Sequence, residues 1–304
     1  MKIHILTYSN PGHLSKTVRT DLMLLEEAAE KLGHKIEVIF ARDVQMKFSA
    51  KKPEVLVKNK KPNIKILLVR ANFLSGSLDF HAGLIRQFEL AGIKVINKKI
   101  AVLRAKNKLQ TLQTLSKNKI PIPKTYILRT PQYIDEIVED IGKYPVIIKT
   151  MSGSHGMGVS IVEKKRGLTS LIDMLVNSEG SAPLTVQEYV KESKGKDVRV
   201  FIVGKRIVAA MERIAVKKSE FRSNFQLGGR VRVIEMSRKE KDVAFAAVKA
   251  CEIDIAGVDI LRTKTGPKVL EVNANPGLEG ITKATGRDIA GEIIKYAVER
   301  ADEK

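Results

Sequence analysis

Lys268-Val269-Leu270-Glu271-Val272-Asn273-Ala274-Asn275-Pro276-Gly277 decides how the chain is read. Its first six residues alternate as a strand does, with Leu270 and Val272 facing one way and Glu271 and Asn273 the other. Asn275-Pro276-Gly277 ends the strand, because proline has no N–H for a ladder and glycine accepts turn geometry. Upstream, residues 254–262 read as a second strand, and residues 263–267 as a five-residue loop joining the two. A symmetric loop sets Arg262 against Lys268, which puts Asp259 opposite Glu271 and Gly257 opposite Asn273. Facing carboxylates repel unless a cation lies between them. Two carboxylates and an amide oxygen are hard donors of the kind Mg²⁺ takes beside phosphate and water. The alternative is two acids on a solvated sheet face, each paired with a lysine.

A chain of 304 residues suits two or three subdomains. No apolar run approaches the roughly 18 residues of a membrane span. Met1-Lys2-Ile3-His4-Ile5-Leu6 alternates and begins a strand, unlike a signal peptide. The single cysteine, Cys251, excludes an internal disulfide and sits in a helical pattern as a small buried hydrophobe. A cytoplasmic protein is expected. The net charge of +20 calls for a polyanionic partner: nucleotide phosphates, RNA or an acidic polypeptide. Its densest run, Lys47, Lys51, Lys52, Lys58, Lys60, Lys61 and Lys65, reads equally as a solvated basic loop or a docking surface. Phe48 is the one aromatic there, which argues against a base-stacking platform.

The first 95 residues or so alternate strands (3–8, 36–40, 64–70, 93–96) with helices. One helix carries an apolar stripe of Leu22, Leu25, Ala29 and Leu32 closed by Gly33; the other is capped by Asp79 and runs to Ala91. This βαβ rhythm predicts a small parallel-sheet domain that forms a platform and part of a substrate cleft. It lacks a glycine-rich dinucleotide turn. A helix over residues 101–119 bears Arg104, Lys106 and Lys108 and is stopped by Pro121; another spans 131–142. A buried strand then ends in Lys149 and enters a loop containing Ser152, Gly153, His155, Gly156 and Gly158. Such a flap lets backbone N–H groups approach an anion beside a lysine charge; a plain hairpin connection is the bland alternative. Residues 184–192 read as a strand whose edge at 188–190 offers backbone groups to an adenine, with Asp197 available to ribose hydroxyls. Strands 197–203 and 206–213 meet at a Gly204-Lys205 turn. The long loop 217–229, holding Arg222-Ser223-Asn224, reads as a substrate loop. Helices are expected at 238–251 and 285–303.

This order of features resembles the ATP-grasp superfamily, and more closely its RimK-type amino-acid ligases. The matching phrases are Val190-Lys191-Glu192, Asp197-Val198-Arg199, Phe221-Arg222-Ser223-Asn224, Ala256-Gly257-Val258-Asp259-Ile260-Leu261-Arg262, Glu271-Val272-Asn273-Ala274-Asn275-Pro276-Gly277-Leu278-Glu279-Gly280 and Asp288-Ile289-Ala290-Gly291. The likeness runs from about residue 1 to residue 300; one departure is Asn107 before Lys108, where the family leads one to expect aspartate. The resemblance implies an α/β and α+β architecture: a Rossmann-like pre-ATP-grasp domain (1–97), a central lobe with the glycine flap (98–186) and a C-terminal lobe with a metal site (187–304). It implies that ATP phosphorylates a carboxylate, that an amine attacks the acyl phosphate, and that an amide forms. It assigns Lys108 and Lys149 to the phosphates, with Ser152, Gly153, Gly156 and Gly158 covering them. Backbone at Glu188 and Tyr189 goes to adenine and Asp197 to ribose. Asp259, Glu271 and Asn273 would hold two Mg²⁺ or Mn²⁺ ions per subunit. Arg222, with Ser223 and Asn224 beside it, and more weakly Arg213, would attend the transferring phosphoryl group. Positioning and charge neutralisation can supply most of the rate without a protein nucleophile. The expected substrates are L-glutamate and the acidic C-terminal tail of a small-subunit ribosomal protein, extended in turn to polyglutamate, with a homo-oligomer such as a tetramer and neither membrane nor sequence-specific DNA as partner. Other branches use an aminoadipate carrier protein, or a pterin or deazaflavin cofactor. A rival of another class is a basic RNA- or ribosome-binding protein that lost catalysis.

Overall fold

The computed structural model describes residues 1–50, 52–73, 77–130, 132–142, 144–150, 158–176, 183–216 and 230–303. The N-terminal part places β1 (Lys2–Thr7), α1 (Lys16–Lys31), β2 (Lys35–Phe40), β3 (Val44–Lys47), β4 (Glu54–Val57), β5 (Ile66–Arg70), α2 (Leu78–Leu90) and β6 (Lys94–Ile96). A parallel sheet runs in the order β2-β1-β5-β6, as the βαβ rhythm predicts. Ser15 caps α1 and Ser77 caps α2; the Ser77 hydroxyl accepts from Phe80 N–H, so Asp79 falls in the first turn and is not the cap. Leu22, Leu25 and Ala29 are buried, whereas Leu32 lies at the C-cap and is exposed. Of the basic run, Lys47 ends β3, which pairs antiparallel with β4, and Lys58, Lys60, Lys61 and Lys65 follow β4, while Lys51 lies outside the described residues. Lys47 and Lys61 reach Glu54, Lys58 reaches Asp43 and Lys65 reaches Asp302 near the C-terminal end of the described chain.

The helix expected over 101–119 is two, α3 (Lys99–Lys106) and α4 (Lys108–Lys117). Asn107 breaks them and its side chain accepts from Gln110 N–H, capping α4 as an aspartate would. β7 (Thr125–Leu128), α5 (Ile134–Ile141), β8 (Val146–Thr150), β9 (Val159–Val162), α6 (Lys165–Val176) and β10 (Leu184–Glu188) follow. They build an antiparallel sheet in the order β7-β10-β8-β9. Its core is Val146, Ile148, Val186 and Leu184 against Ile134, Ile137 and Leu168.

The third sheet contains β11 (Lys196–Val203), β12 (Arg206–Ile214) and β13 (Arg230–Val233), then, after α7 (Arg238–Cys251), β14 (Ile255–Thr263) and β15 (Gly266–Asn273). Its order is β13-β12-β11-β14-β15, antiparallel throughout. Ser237 and Glu240 form a reciprocal capping box at the start of α7. One face of the sheet, with Val198, Val200, Val258, Ile260, Val269 and Val272, packs on α7 and on Ala101 and Leu115 of α3 and α4. On the other face, Phe201 and Val203 join Ile3, Ile5 and Leu25 of the N-terminal domain, with α8 (Glu279–Thr285) and α9 (Ile289–Asp302). Gly286 ends α8 in the left-handed region, so the final helix begins at Ile289, not at residue 285. Completely burying one such phenylalanine contributes about 1.5–3 kcal/mol, and Phe201 is 0% exposed. The N-terminal domain and the third sheet therefore share one core, which includes Ile255 at the start of β14.

Candidate functional site

The β14–β15 hairpin has the predicted register at its far end. Asp259 pairs with Glu271, Val258 with Val272 and Gly257 with Asn273. The turn end differs: Thr263 pairs with Gly266 across Lys264-Thr265, so the loop has two residues, not five, and Arg262 faces Pro267. A bulge between these halves, at Leu270, absorbs the one-residue difference. It also turns Val269, and not Leu270, into the core beside Val272.

Asp259 is not on a solvated face. It is 3% exposed, and the cations beside it are arginines. Arg199, directly opposite on β11, forks onto both Asp259 oxygens, and Arg213 Nη2 donates to Oδ2 at 2.8 Å. Arg213 also donates from Nε and Nη2 to the two oxygens of Asp197, at 2.6 and 2.7 Å. Burial pushes the Asp259 carboxyl up, but Arg199 and Arg213 overcome this and hold it below the usual carboxylate range. The same acids outweigh burial at Arg213 and raise it. Facing acids on these strands thus do not by themselves require a metal, since two guanidiniums already lie against one of them.

Glu271 remains exposed on the rim, and lysines gather around it. Lys149, at the end of β8, donates to Gln187 Oε1 at 2.7 Å. Burial lowers it to about 8; Lys108 lowers it further and Glu271 opposes the change. Lys106 is likewise lowered by burial and raised by Glu271; its ammonium lies 4.9 Å from the Phe73 ring centre and donates to the Phe73 carbonyl. Two sheets and the α3–α4 junction therefore bring Lys106, Lys108, Lys149 and Glu271 into one electrostatic neighbourhood. A desolvated ammonium beside further cations is poised for an anion.

Comparisons with known proteins bear on the family and the fold. Residues 105–297 match a family model described as the RimK-like ATP-grasp domain, and residues 1–102 one described as the RimK PreATP-grasp domain. The chain belongs to the RimK-like ATP-grasp family. It is 38% identical over 303 residues to a probable alpha-L-glutamate ligase 2 of Pseudoalteromonas atlantica, covering 99% of this chain and 96% of that one. A probable alpha-L-glutamate ligase of Methanococcoides burtonii is 37% identical over 298 residues, covering 97% and 95%. Among solved structures, the ATP-grasp ligase PsnB complexed with a phosphomimetic variant of minimal precursor, Mg and ADP superposes with a TM-score of 0.74 at 19% identity, over 98% of both chains. The fold is thus the ATP-grasp fold with its N-terminal pre-ATP-grasp domain, and the chain falls in the class of ATP-dependent ligases that form carbon–nitrogen bonds.

Several ATP-grasp assignments meet specific surroundings. β10 is flanked by β7 and β8, so residues 184–188 are interior and not an edge. Glu188 N–H donates to the Lys124 carbonyl at 2.8 Å, and its carboxylate is held by Lys268 and by Lys124 N–H. Only at Tyr189 does the chain leave the sheet. Asp197 is 5% exposed and both its oxygens serve Arg213. Arg213 is a buried clamp on two acids, not a projecting side chain. Gly158 lies at φ +72°, where a side chain is strained. Ser152, Gly153, His155 and Gly156 of the flap, and Arg222, Ser223 and Asn224, lie outside the described residues.

The donors of the hairpin fit a hard divalent cation. Glu271 is an exposed carboxylate, Asn273 is a half-buried amide on the same side, and Asp259 Oδ1 accepts from Arg199 with a lone pair to spare. Sequence reading gave no task to Arg199, Asn97, Asp21 or Arg70. Asn97 spends its amide on four backbone groups, three of the bonds buried and the one from Asp254 half-buried: it donates to the carbonyls of Ile255 and Ala274 and accepts from the N–H groups of Asp254 and Ile255, all at 2.8–2.9 Å. It pins both ends of the hairpin. The available signal was polarity in buried context: Asp21 adjoins Leu22 on the apolar face of α1, and Arg70 ends a fully buried strand.

Proposed function

We propose that this protein is an ATP-dependent glutamate ligase acting on an acidic protein tail. The observation that carries the reading is Lys149, a buried ammonium whose surroundings combine Lys108 and the hairpin acid Glu271. Lys149 and Lys108 take the nucleotide phosphates, and the segments holding Ser152 to Gly158 and Arg222 to Asn224 complete the cradle. Asp259, Glu271 and Asn273 hold Mg²⁺ or Mn²⁺, two ions in all, which when bound would neutralise phosphate charge during transfer. The terminal carboxylate oxygen of the tail attacks the γ-phosphorus of ATP and ADP leaves. The amine of glutamate attacks the acyl carbon, phosphate departs with the former carboxylate oxygen, and the amine gives up its proton. The residues position these groups and shield them from water; no covalent enzyme intermediate is needed.

The relatives named probable alpha-L-glutamate ligase support glutamate as the incoming amino acid. The precursor held by PsnB supports a peptide as the other substrate. A net charge of +20 favours an acidic tail over a neutral small molecule, and the tail of a small-subunit ribosomal protein, extended to polyglutamate, is the acceptor we propose. The test is ADP release with Mg²⁺, glutamate and a peptide of such a tail. Turnover restricted to an aminoadipate carrier, a pterin or a deazaflavin would refute the acceptor. Thermal stabilisation by RNA and none by Mg²⁺-ATP would favour the non-catalytic RNA-binding reading instead.

A further inference from the structure

The turn after Asn273 is gripped from the N-terminal domain. Arg70, at the end of β5, and Asp21, on α1, form an ion pair at 2.5 Å and are 8% and 5% exposed. Arg70 Nη2 also donates to the Pro276 carbonyl at 3.0 Å, and Asp21 Oδ1 accepts from Leu278 N–H at 2.9 Å. The pair thus closes a clasp around Gly277, with one partner on each side of it. Burying two charges is costly, and an apolar pair of similar size would hold two domains together as well or better. Directional bonds to a carbonyl and an N–H instead fix where the turn lies.

That position is transmitted to the acids. A methyl group built on Gly257 would lie 2.9 Å from Pro276 Cβ and 3.3 Å from Arg199 Cδ, so proline and arginine meet over the glycine. Arg199 is the side chain that forks onto Asp259. Asn273 pairs with Gly257 and lies three residues before Pro276. A displaced turn would therefore shift Asn273 directly, and Asp259 through Arg199.

We propose that Asp21 and Arg70 are positioning residues: through Pro276 and Leu278, the N-terminal domain sets the geometry of the cation site formed by Asp259, Glu271 and Asn273. The inference rests on the hairpin being that site. Both residues are buried and act through the turn they bond.

Full-length Arg70→Met, Arg70→Lys, Asp21→Asn and Glu271→Gln proteins are titrated with Mn²⁺ in the presence of a non-hydrolysable ATP analogue. Binding and line shape are followed by electron paramagnetic resonance, and folding by urea denaturation. Arg70→Met is expected to fold cooperatively, weaken Mn²⁺ binding about tenfold and broaden its spectrum; Arg70→Lys, which keeps one donor, recovers part of the affinity. Asp21→Asn, which keeps an acceptor for Leu278, is expected to weaken binding about threefold. If Arg70→Met folds and binds Mn²⁺ within twofold of wild type while Glu271→Gln loses it, the positioning role is overturned and the cation site stands. If Glu271→Gln binds like wild type, the cation site falls and this inference with it. Should Arg70→Met fail to fold, Asp21→Asn decides: wild-type affinity and line shape there overturn the positioning role.

Discussion

Replacing Lys149 by methionine removes a buried charge while keeping most of the side-chain volume, and its effect should depend on pH. Burial lowers the Lys149 ammonium from its ordinary 10.5 to about 8. Between those values the unfolded chain binds more protons than the folded one, so the stability of the folded state rises with pH. At about 1.4 kcal/mol per tenfold, charged Lys149 costs the ligand-free protein about 3 kcal/mol at pH 7, and about 2.5 kcal/mol of that is gone by pH 10. The methionine variant also leaves Gln187 Oε1 without its lysine donor, at a cost of about 1–3 kcal/mol. That second cost does not titrate, because a neutral amine still donates. The expectation is a variant as stable as wild type or more so at pH 7, whose stability relative to wild type then drops by about 2.5 kcal/mol on going to pH 10. Urea denaturation of both proteins at the two pH values measures the difference, and subtracting one from the other removes the groups they share. Nucleotide should stabilise wild type and not the variant. An unchanged gap between the proteins from pH 7 to pH 10 would refute the buried-cation argument.

Asp259 and Glu271 should behave differently although they face each other. Asp259→Asn leaves the buried Arg213 and the half-buried Arg199 with weakened partners and should destabilise by about 3–5 kcal/mol in urea melts. Glu271→Gln, on an exposed side chain, should change stability by less than about 0.5 kcal/mol yet abolish Mg²⁺-dependent ADP release. The lowered Asp259 carboxyl contributes stability above its ordinary 3.8, and that contribution should drain away as pH falls below it; an Asp259→Asn protein should show a shallower acid transition. Gly257→Ala forces Pro276 and Arg199 apart and should cost about 1–3 kcal/mol, read by thermal denaturation. Asn97→Ala strands four backbone groups, three of them in buried bonds, and should lower the melting temperature more than Gly257→Ala does.

The parts of the fold legible in the sequence are those set by local pattern. The β1–β2–β5–β6 platform, the Gly204-Lys205 turn and the bounds of α7 follow from alternation, apolar stripes and caps. Asp79 and Ser77 are both capable caps two residues apart, and only the hydroxyl geometry decides between them. The pairing of Asp259 with Glu271 was read from an assumed five-residue loop; the real turn is three residues shorter, and a bulge at Leu270, which alternation does not announce, restores the register. The arginines on Asp259 depend on β11 lying beside β14, a contact between residues 60 positions apart. The clasp at Gly277 and the Asn97 bonds span still longer separations, and no local periodicity encodes them. Polar residues inside apolar stretches were the trace they left.

Arg199, Asp259, Arg213 and Asp197 form a row of alternating sign whose charges sum to zero. A lone divalent ion approaching that end of the sheet meets the field of Glu271 but little from the other two acids, and Lys106, Lys108 and Lys149 stand near enough to push it away. On the proposed assignment, a triphosphate arriving with its own counter-ion would meet no such opposition, because its oxygens would face the lysines as the ion reached Glu271. Under that assignment the self-neutralised row would disfavour loading by metal alone, and ion and nucleotide would enter as one partly cancelled package.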